Sequence, residues 1–198
     1  MNYLALGDSY TIGEKVDYKN NYPNQLVKIL KEKGIKLNLK KIIAITGWTT
    51  DELAIAIAKE NPKPIYDLVT LLIGVNNQYR GRSTEEFEWQ FYSLLCQSIL
   101  FAKGNPKNVI VLSIPDWGMT PFNQDKDKKT CSLEIDEYNK IVKLWSKKLG
   151  CKFIDVTTST RQNAENEIYL AEDLLHYSRE EYKIWANKIA QVLLRKNF

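Results

Sequence analysis

Short apolar runs alternate along the chain with longer stretches whose apolar residues recur at helical spacing. Residues 3–6, 42–45, 68–73 and 109–114 are nearly unbroken apolar runs, and 153–156 is a weaker fifth. Runs of this length and character fit strands covered on both faces, as in a parallel sheet. The first four end at or near Gly7, Gly47, Gly74 and Pro115. Between them, Pro23 is placed to open a helix and Gly34 to close it, with Leu26, Ile29 and Leu30 on its apolar face. Thr49-x-x-Glu52 and Ser83-x-x-Glu86 each have the form of a capping box. Ile135, Tyr138, Ile141, Val142, Trp145 and Leu149 share one helical face, with Gly150 just beyond. The last helix opens at Ser178, with Glu181 three residues on and Tyr182, Trp185, Ala186, Ile189, Leu193 and Leu194 on its apolar side.

Strand and helix in alternation predict a three-layer α/β/α sandwich, with helices carried to both faces by right-handed crossovers. No repeat, low-complexity tract or linker divides the chain, so residues 1–198 read as one domain. Residues 120–131, polar and rich in Lys and Asp, read as an exposed loop. At 198 residues the chain can bury on the order of 70% of its unfolded surface without disulfides or a metal.

Composition narrows the function classes. Hydrophobic residues are 44% and charged residues 26%, ordinary globular values that exclude disorder. The net charge of +4 is mild and the basic residues are dispersed, so no nucleic-acid partner is expected. No apolar run approaches the ~20 residues of a membrane helix. Cys96, Cys131 and Cys151 are odd in number and lack C-x-x-C spacing, which points to free thiols, no zinc and a reducing compartment. With no basic segment ahead of the first strand to act as an export signal, a cytoplasmic location is the expectation. Oligomeric state is not legible.

In α/β sheets ligands bind beyond the carboxyl ends of the strands. Four chemistry-bearing segments fall there. Gly7-Asp8-Ser9 follows the first run, Thr46-Gly47-Trp48 the second and Gly74-Val75-Asn76-Asn77 the third, while Asp173-Leu174-Leu175-His176 precedes the last helix. Each has an ordinary reading when taken alone. Ser9 could cap a helix, Gly47 could make a turn, and Asn76 could make an Asx turn. His176 is the only histidine. The Asp-x-x-His spacing allows a turn to bring the carboxylate back to the ring, which fixes its tautomer.

Taken together and in this order, the four blocks resemble the SGNH (GDSL-like) hydrolase family. The resemblance implies a flavodoxin-like five-stranded parallel sheet of order 2-1-3-4-5, esterase or lipase chemistry, and no metal or cofactor. It makes Ser9 the nucleophile, His176 its base and Asp173 the orienting acid. Ser9 and Gly47 backbone N–H groups and the Asn76 side chain become the oxyanion donors. The chain departs from the family pattern twice: Tyr10 stands where the motif has leucine, and Asn77 where an aspartate is usual. The segment from Ile114 to Gly118 is similar to the fourth-strand exit of such enzymes. Trp48, Tyr79, Arg80 and Trp117 are candidate substrate residues by their loop positions.

The chemistry asks for these residue types. A serine hydroxyl needs a base within reach, and histidine, with an unperturbed pKa of about 6.5, suits that role at neutral pH. Attack puts negative charge on the acyl oxygen, and each preorganised donor to it is worth roughly 3–4 kcal/mol. The surroundings of Ser9 do not form a G-x-S-x-G elbow, and neither a P-loop nor G-x-G-x-x-G occurs. The leading expectation is hydrolysis of a small or short-acyl ester, such as an acetylated carbohydrate. A lysophospholipase, a thioesterase, an acyltransferase with the same triad and a non-catalytic binding module of the same fold are the alternatives.

Overall fold

The computed structural model describes residues 1–195. Its single sheet has five strands, all parallel. They are β1 (Asn2–Gly7), β2 (Asn38–Ala44), β3 (Leu68–Leu72), β4 (Val109–Leu112) and β5 (Lys152–Ile154). Their spatial order is β2-β1-β3-β4-β5, as the family resemblance implied. The interior strands β1, β3 and β4 are buried almost throughout, which is why they read as unbroken apolar runs. The edge strand β2 is longer than its apolar run. Its first residues, Asn38-Leu39-Lys40-Lys41, alternate in exposure, and Ile45 lies beyond the strand with about half its surface in solvent. The third, fourth and fifth strands stop one or two residues earlier than their apolar runs. Residues such as Ile73 and Ile114 stay buried as the chain turns toward the site.

The connecting helices fall on two faces. From β1 the chain crosses through α2 (Tyr22–Glu32) to one edge. It then returns through α3 (Thr50–Glu60), α5 (Thr84–Phe101) and α6 (Lys128–Lys148) toward the other. Right-handed crossovers running in opposite directions lie on opposite faces. Accordingly α2 packs with the final helix α8 (Arg179–Leu194), while α5 packs with α3 and α6. The reversal of direction falls between β1 and β3, so a crevice opens at their carboxyl ends. Three short helices, α1 (Ser9–Ile12), α4 (Val75–Tyr79) and α7 (Thr157–Gln162), follow β1, β3 and β5 directly. They are too short to display a period in sequence.

Local signals explain most helix ends. Asn21 caps α2 ahead of Pro23, accepting the Asn24 N–H. Glu52 accepts the Thr49 N–H and Ser83 accepts the Glu86 N–H, so each capping sequence marks a helix start. Ser178 caps α8 through the Glu180 N–H. Glu181 turns inward instead, buried between the Trp185 indole and the Asn163 amide. The exposed loop is shorter than expected, because α6 begins at Lys128 under an Asp127 cap and Cys131 is buried within it. Behind the β1 exit, Trp185 is fully buried among the rings of Tyr10, Tyr22, Tyr177 and Tyr182. Deleting such a side chain costs about 3–5 kcal/mol. No helix among the described residues is long and apolar enough to cross a membrane.

Candidate active site

The exits of β1 and β3 carry two of the predicted residues on rigid backbone. Asp8 caps α1 by accepting the Tyr10 N–H at 3.0 Å, and Ser9 is the first helical residue. The first N–H of a helix has no partner in the helical ladder, so the Ser9 N–H is a donor left over by construction. At β3 the chain turns through Gly74, whose φ of 129° is open only to glycine. A Cβ there would meet Ile114 and Phe87 at 2.7 Å. This close turn brings Asn76 into the first turn of α4, where its amide donates to the Trp48 carbonyl at 2.9 Å. A primary amide has two N–H groups, so that bond anchors Asn76 and leaves one N–H for a ligand.

The loop before α8 carries two more. An antiparallel bridge between Leu170 and Tyr177 closes its base. Asp173 Oδ1 accepts the backbone N–H groups of Leu175 at 3.1 Å and His176 at 2.9 Å, and Asp173 Oδ2 meets His176 Nδ1 at 2.6 Å. Leu174 makes the turn possible by adopting a φ of 57°, a strained choice for a branched residue. Partial burial works against the Asp173 charge. The bonds from the His176 ring, the His176 backbone and Leu175 outweigh it and hold the carboxyl below the usual carboxylate range. His176 is itself mostly buried, with its ring 5.7 Å from that of Tyr10.

These elements meet at one cavity of about 190 Å³, lined by Ser9, Asn76 and His176 among apolar neighbours Tyr10, Val75 and Leu175. Asp173 stands behind His176, on the wall of a second, larger cleft of about 420 Å³. Tyr79, Trp117 and Phe122 border both spaces. The rings of Tyr79 and Trp117 meet edge to face at 5.0 Å. The Trp117 indole is fixed by Gln78 Oε1 at 2.7 Å. The Lys126 ammonium lies over Tyr79 and Trp117, 4.8 and 5.4 Å from their ring centres.

Other predicted residues lie beside the cavity and not in its lining. Gly47 forms a turn with a φ of 87°, closed by a bond from the Trp48 N–H to the Ile45 carbonyl. The Arg80 guanidinium is committed to the Gly47 carbonyl at 2.7 Å and to Glu52 at 3.3 Å. Trp48 contributes its carbonyl to Asn76. Asn77, the second departure from the family pattern, is buried and grips the start of α3. It accepts the Thr50 N–H at 3.1 Å and donates to Thr50 Oγ1 at 2.7 Å.

Sequence reasoning missed Phe122 and Lys126, which come from the tract read only as a polar loop. Their link to the site is a bond from the Phe122 N–H to the Leu174 carbonyl at 3.3 Å, a contact across the fold with no local signature. It also missed the brace beneath Trp117. There Asp116, fully buried, accepts the Gly118 N–H, the Ser132 hydroxyl and Arg161 Nε, the last at 2.7 Å. Among the described residues no group of three or more His, Cys, Asp or Glu is placed to hold a metal ion.

A family model described as GDSL-like Lipase/Acylhydrolase matches residues 5–184. No curated protein matches the chain significantly in sequence. Among solved structures, a member of the lipolytic G-D-S-L family from Veillonella parvula is 21% identical, with a TM-score of 0.73 and coverage of 98% of this chain and 99% of that one. The acetyl xylan esterase AlAXEase is 20% identical, with a TM-score of 0.73 and coverage of 98% and 100%. The psychrotrophic esterase EstA from Pseudoalteromonas sp., inhibited by monoethylphosphonate in a related structure, is 12% identical, with a TM-score of 0.70 and coverage of 98% and 97%. At these identities the likeness is one of fold.

Proposed function

This chain belongs to the GDSL-like lipase/acylhydrolase family, and from that premise we propose that it cleaves carboxylic esters through an acyl-enzyme on Ser9. The observation that carries the reading is the 2.6 Å contact between Asp173 and His176, on a cavity that Ser9 and Asn76 also line. With Nδ1–H donated to Asp173, the other ring nitrogen is left as a base. It takes the Ser9 proton as Oγ attacks the acyl carbon. The carbonyl oxygen becomes an oxyanion, received by the N–H groups of Ser9 and Gly47 and the Asn76 amide. His176 then gives its proton to the departing alcohol, and a water activated by the same ring releases the acid.

In this reading the small apolar cavity takes a short acyl group, and the alcohol part lies along the larger cleft. The aromatic wall of Tyr79, Trp117 and Phe122, with Asn123 and Gln124 nearby, suits the face of a sugar ring, so an acetylated carbohydrate is the favoured substrate. Arg80 and Trp48 brace the Gly47 turn and Asn76. The test is fluorophosphonate labelling with peptide mapping, alongside p-nitrophenyl esters of increasing acyl length. The adduct is expected on Ser9, with acetate turned over fastest. Label elsewhere, or an unchanged rate in Ser9→Ala, would end the assignment, and a preference for long acyl chains would overturn the short-acyl part.

A further inference from the structure

Asp8 lies one residue before Ser9 and is wholly buried. Its two carboxyl oxygens have unlike surroundings. Oδ1 caps α1 through the Tyr10 N–H. Oδ2 is buried without a hydrogen-bond partner among the described residues. The titratable groups facing the carboxyl are phenols: Tyr10 on α1, Tyr22 on α2 and Tyr182 on α8, each of which resists ionisation partly because of Asp8. Among the described residues the Tyr182 hydroxyl is the other buried side-chain polar atom without a partner. The further charges felt by these phenols, Asp116 at Tyr10 and Asp173 at Tyr182, are also acidic. Neither Asp8 nor these phenols feel a Lys or Arg among the described residues, and the imidazole that meets them from the loop before α8 is that of His176, 5.7 Å from the Tyr10 ring.

A carboxylate with one bare oxygen in such a pocket is a costly species. The neutral acid costs far less, even with its O–H unpartnered, and it still has a carbonyl oxygen to accept the Tyr10 N–H. Burial pushes the Asp8 carboxyl up to about 7, against the lowering effect of its backbone hydrogen bonds. A carboxylate here, one residue from the Ser9 N–H that is to receive the oxyanion, would oppose the developing negative charge. We propose that Asp8 is a positioning residue working as a neutral acid, which caps the turn carrying Ser9 without placing a negative charge next to the Ser9 N–H. The catalytic part of this inference rests on Ser9 being the nucleophile, whereas the protonation state does not.

The test compares wild type with Asp8→Asn, a neutral N-cap of the same shape, and with Asp8→Ser, a smaller cap. Infrared difference spectra at pH 5.5 should contain a protonated-carboxyl band that Asp8→Asn lacks and that fades by pH 8.5. An acid whose pKa rises on folding loses stability as pH climbs from its unfolded value near 4 through its folded value. The melting temperature of Asp8→Asn should therefore gain on wild type by about 3 °C or more between pH 5.5 and 8.5. At pH 6 Asp8→Asn should keep kcat within about threefold, while Asp8→Ala, lacking a cap, should lose about tenfold in kcat with KM nearly constant. No carboxyl band together with a melting difference independent of pH would overturn the proposal. So would a hundredfold loss of kcat in folded Asp8→Asn and Asp8→Ser. If Ser9→Ala remained active, the nucleophile assignment would fall, and the infrared and melting results would still decide the protonation of Asp8.

Discussion

Asp8 and Asp173 each stand beside a proposed catalytic residue, and their surroundings treat them in opposite ways. Asp173 sits on a loop with about a quarter of its side chain exposed, and three N–H groups converge on its two oxygens. Asp8 sits under a strand exit with no exposure, with the Tyr10 N–H on Oδ1 and no partner on Oδ2 among the described residues. The first carboxyl is held below the usual range and the second is pushed up to about 7. The number of donors that the backbone can aim at a carboxyl, set against the water it loses, decides its charge. The Asp173 loop can wrap around its acid because it is a turn. The β1 exit is committed to α1 and aims the Tyr10 N–H at Oδ1, leaving Oδ2 bare.

The contrast can be broken experimentally. His176→Ala should lower kcat/KM by on the order of 10⁵, since it removes the only histidine base available. Asp173→Asn should cost on the order of 10³–10⁴ in kcat, because a neutral amide can stabilise the wrong imidazole tautomer. The same substitution at Asp8 is expected to be nearly silent at pH 6. Equal losses at the two positions would erase the distinction drawn here. Asn76→Ala should cost roughly 10²–10³ in kcat through loss of one oxyanion donor, with little change in KM. Phe122→Ala, on the cleft wall, should raise KM about threefold to tenfold for substrates with a bulky alcohol and leave small aryl acetates unaffected.

The smallest effect is in stability, and its sign is informative. Asp173 contributes stability that is present above the unfolded value near 4 and is lost as pH falls through its lower folded value. Asp8 acts oppositely, with stability lost as pH rises from about 4 through about 7. Thermal melts from pH 3 to 8 should show the acid-side loss blunted in Asp173→Asn and the neutral-side loss removed in Asp8→Asn. Identical curves for the two variants would contradict this assignment of signs.

Much of the candidate site's local geometry is legible in the sequence because its parts are local. Asp173-x-x-His176 is one turn, Asp8-Ser9 is one cap, and Gly74-x-Asn76 is one tight strand exit. The first two are governed by neighbours within three residues, and the third is marked by a glycine at a φ that only glycine readily adopts. The interior strands were legible for a similar reason, since burial on both faces leaves an unbroken apolar run. The start of β2 was not, because an edge strand exposed on alternate residues carries Asn38, Lys40 and Lys41. The start of α6 was hidden by its polar first turn, Lys128-Lys129-Thr130, which looks like a loop until Asp127 is seen to cap it.

The sequence by itself determined the alternation of strand and helix, the sheet order through its family pattern, and the identity of the residues at each strand exit. Those features follow from period, turn chemistry and motif, which act along the chain. Only the tertiary structure decided that Phe122 and Lys126 wall the cleft and that Arg80 holds the Gly47 turn. It alone also decided that Asp8 faces phenols without a partner for its second oxygen. These depend on which surfaces meet across the fold and on how much water is left between them. Desolvation and long-range packing set those quantities, and neither leaves a mark on neighbouring residues in sequence.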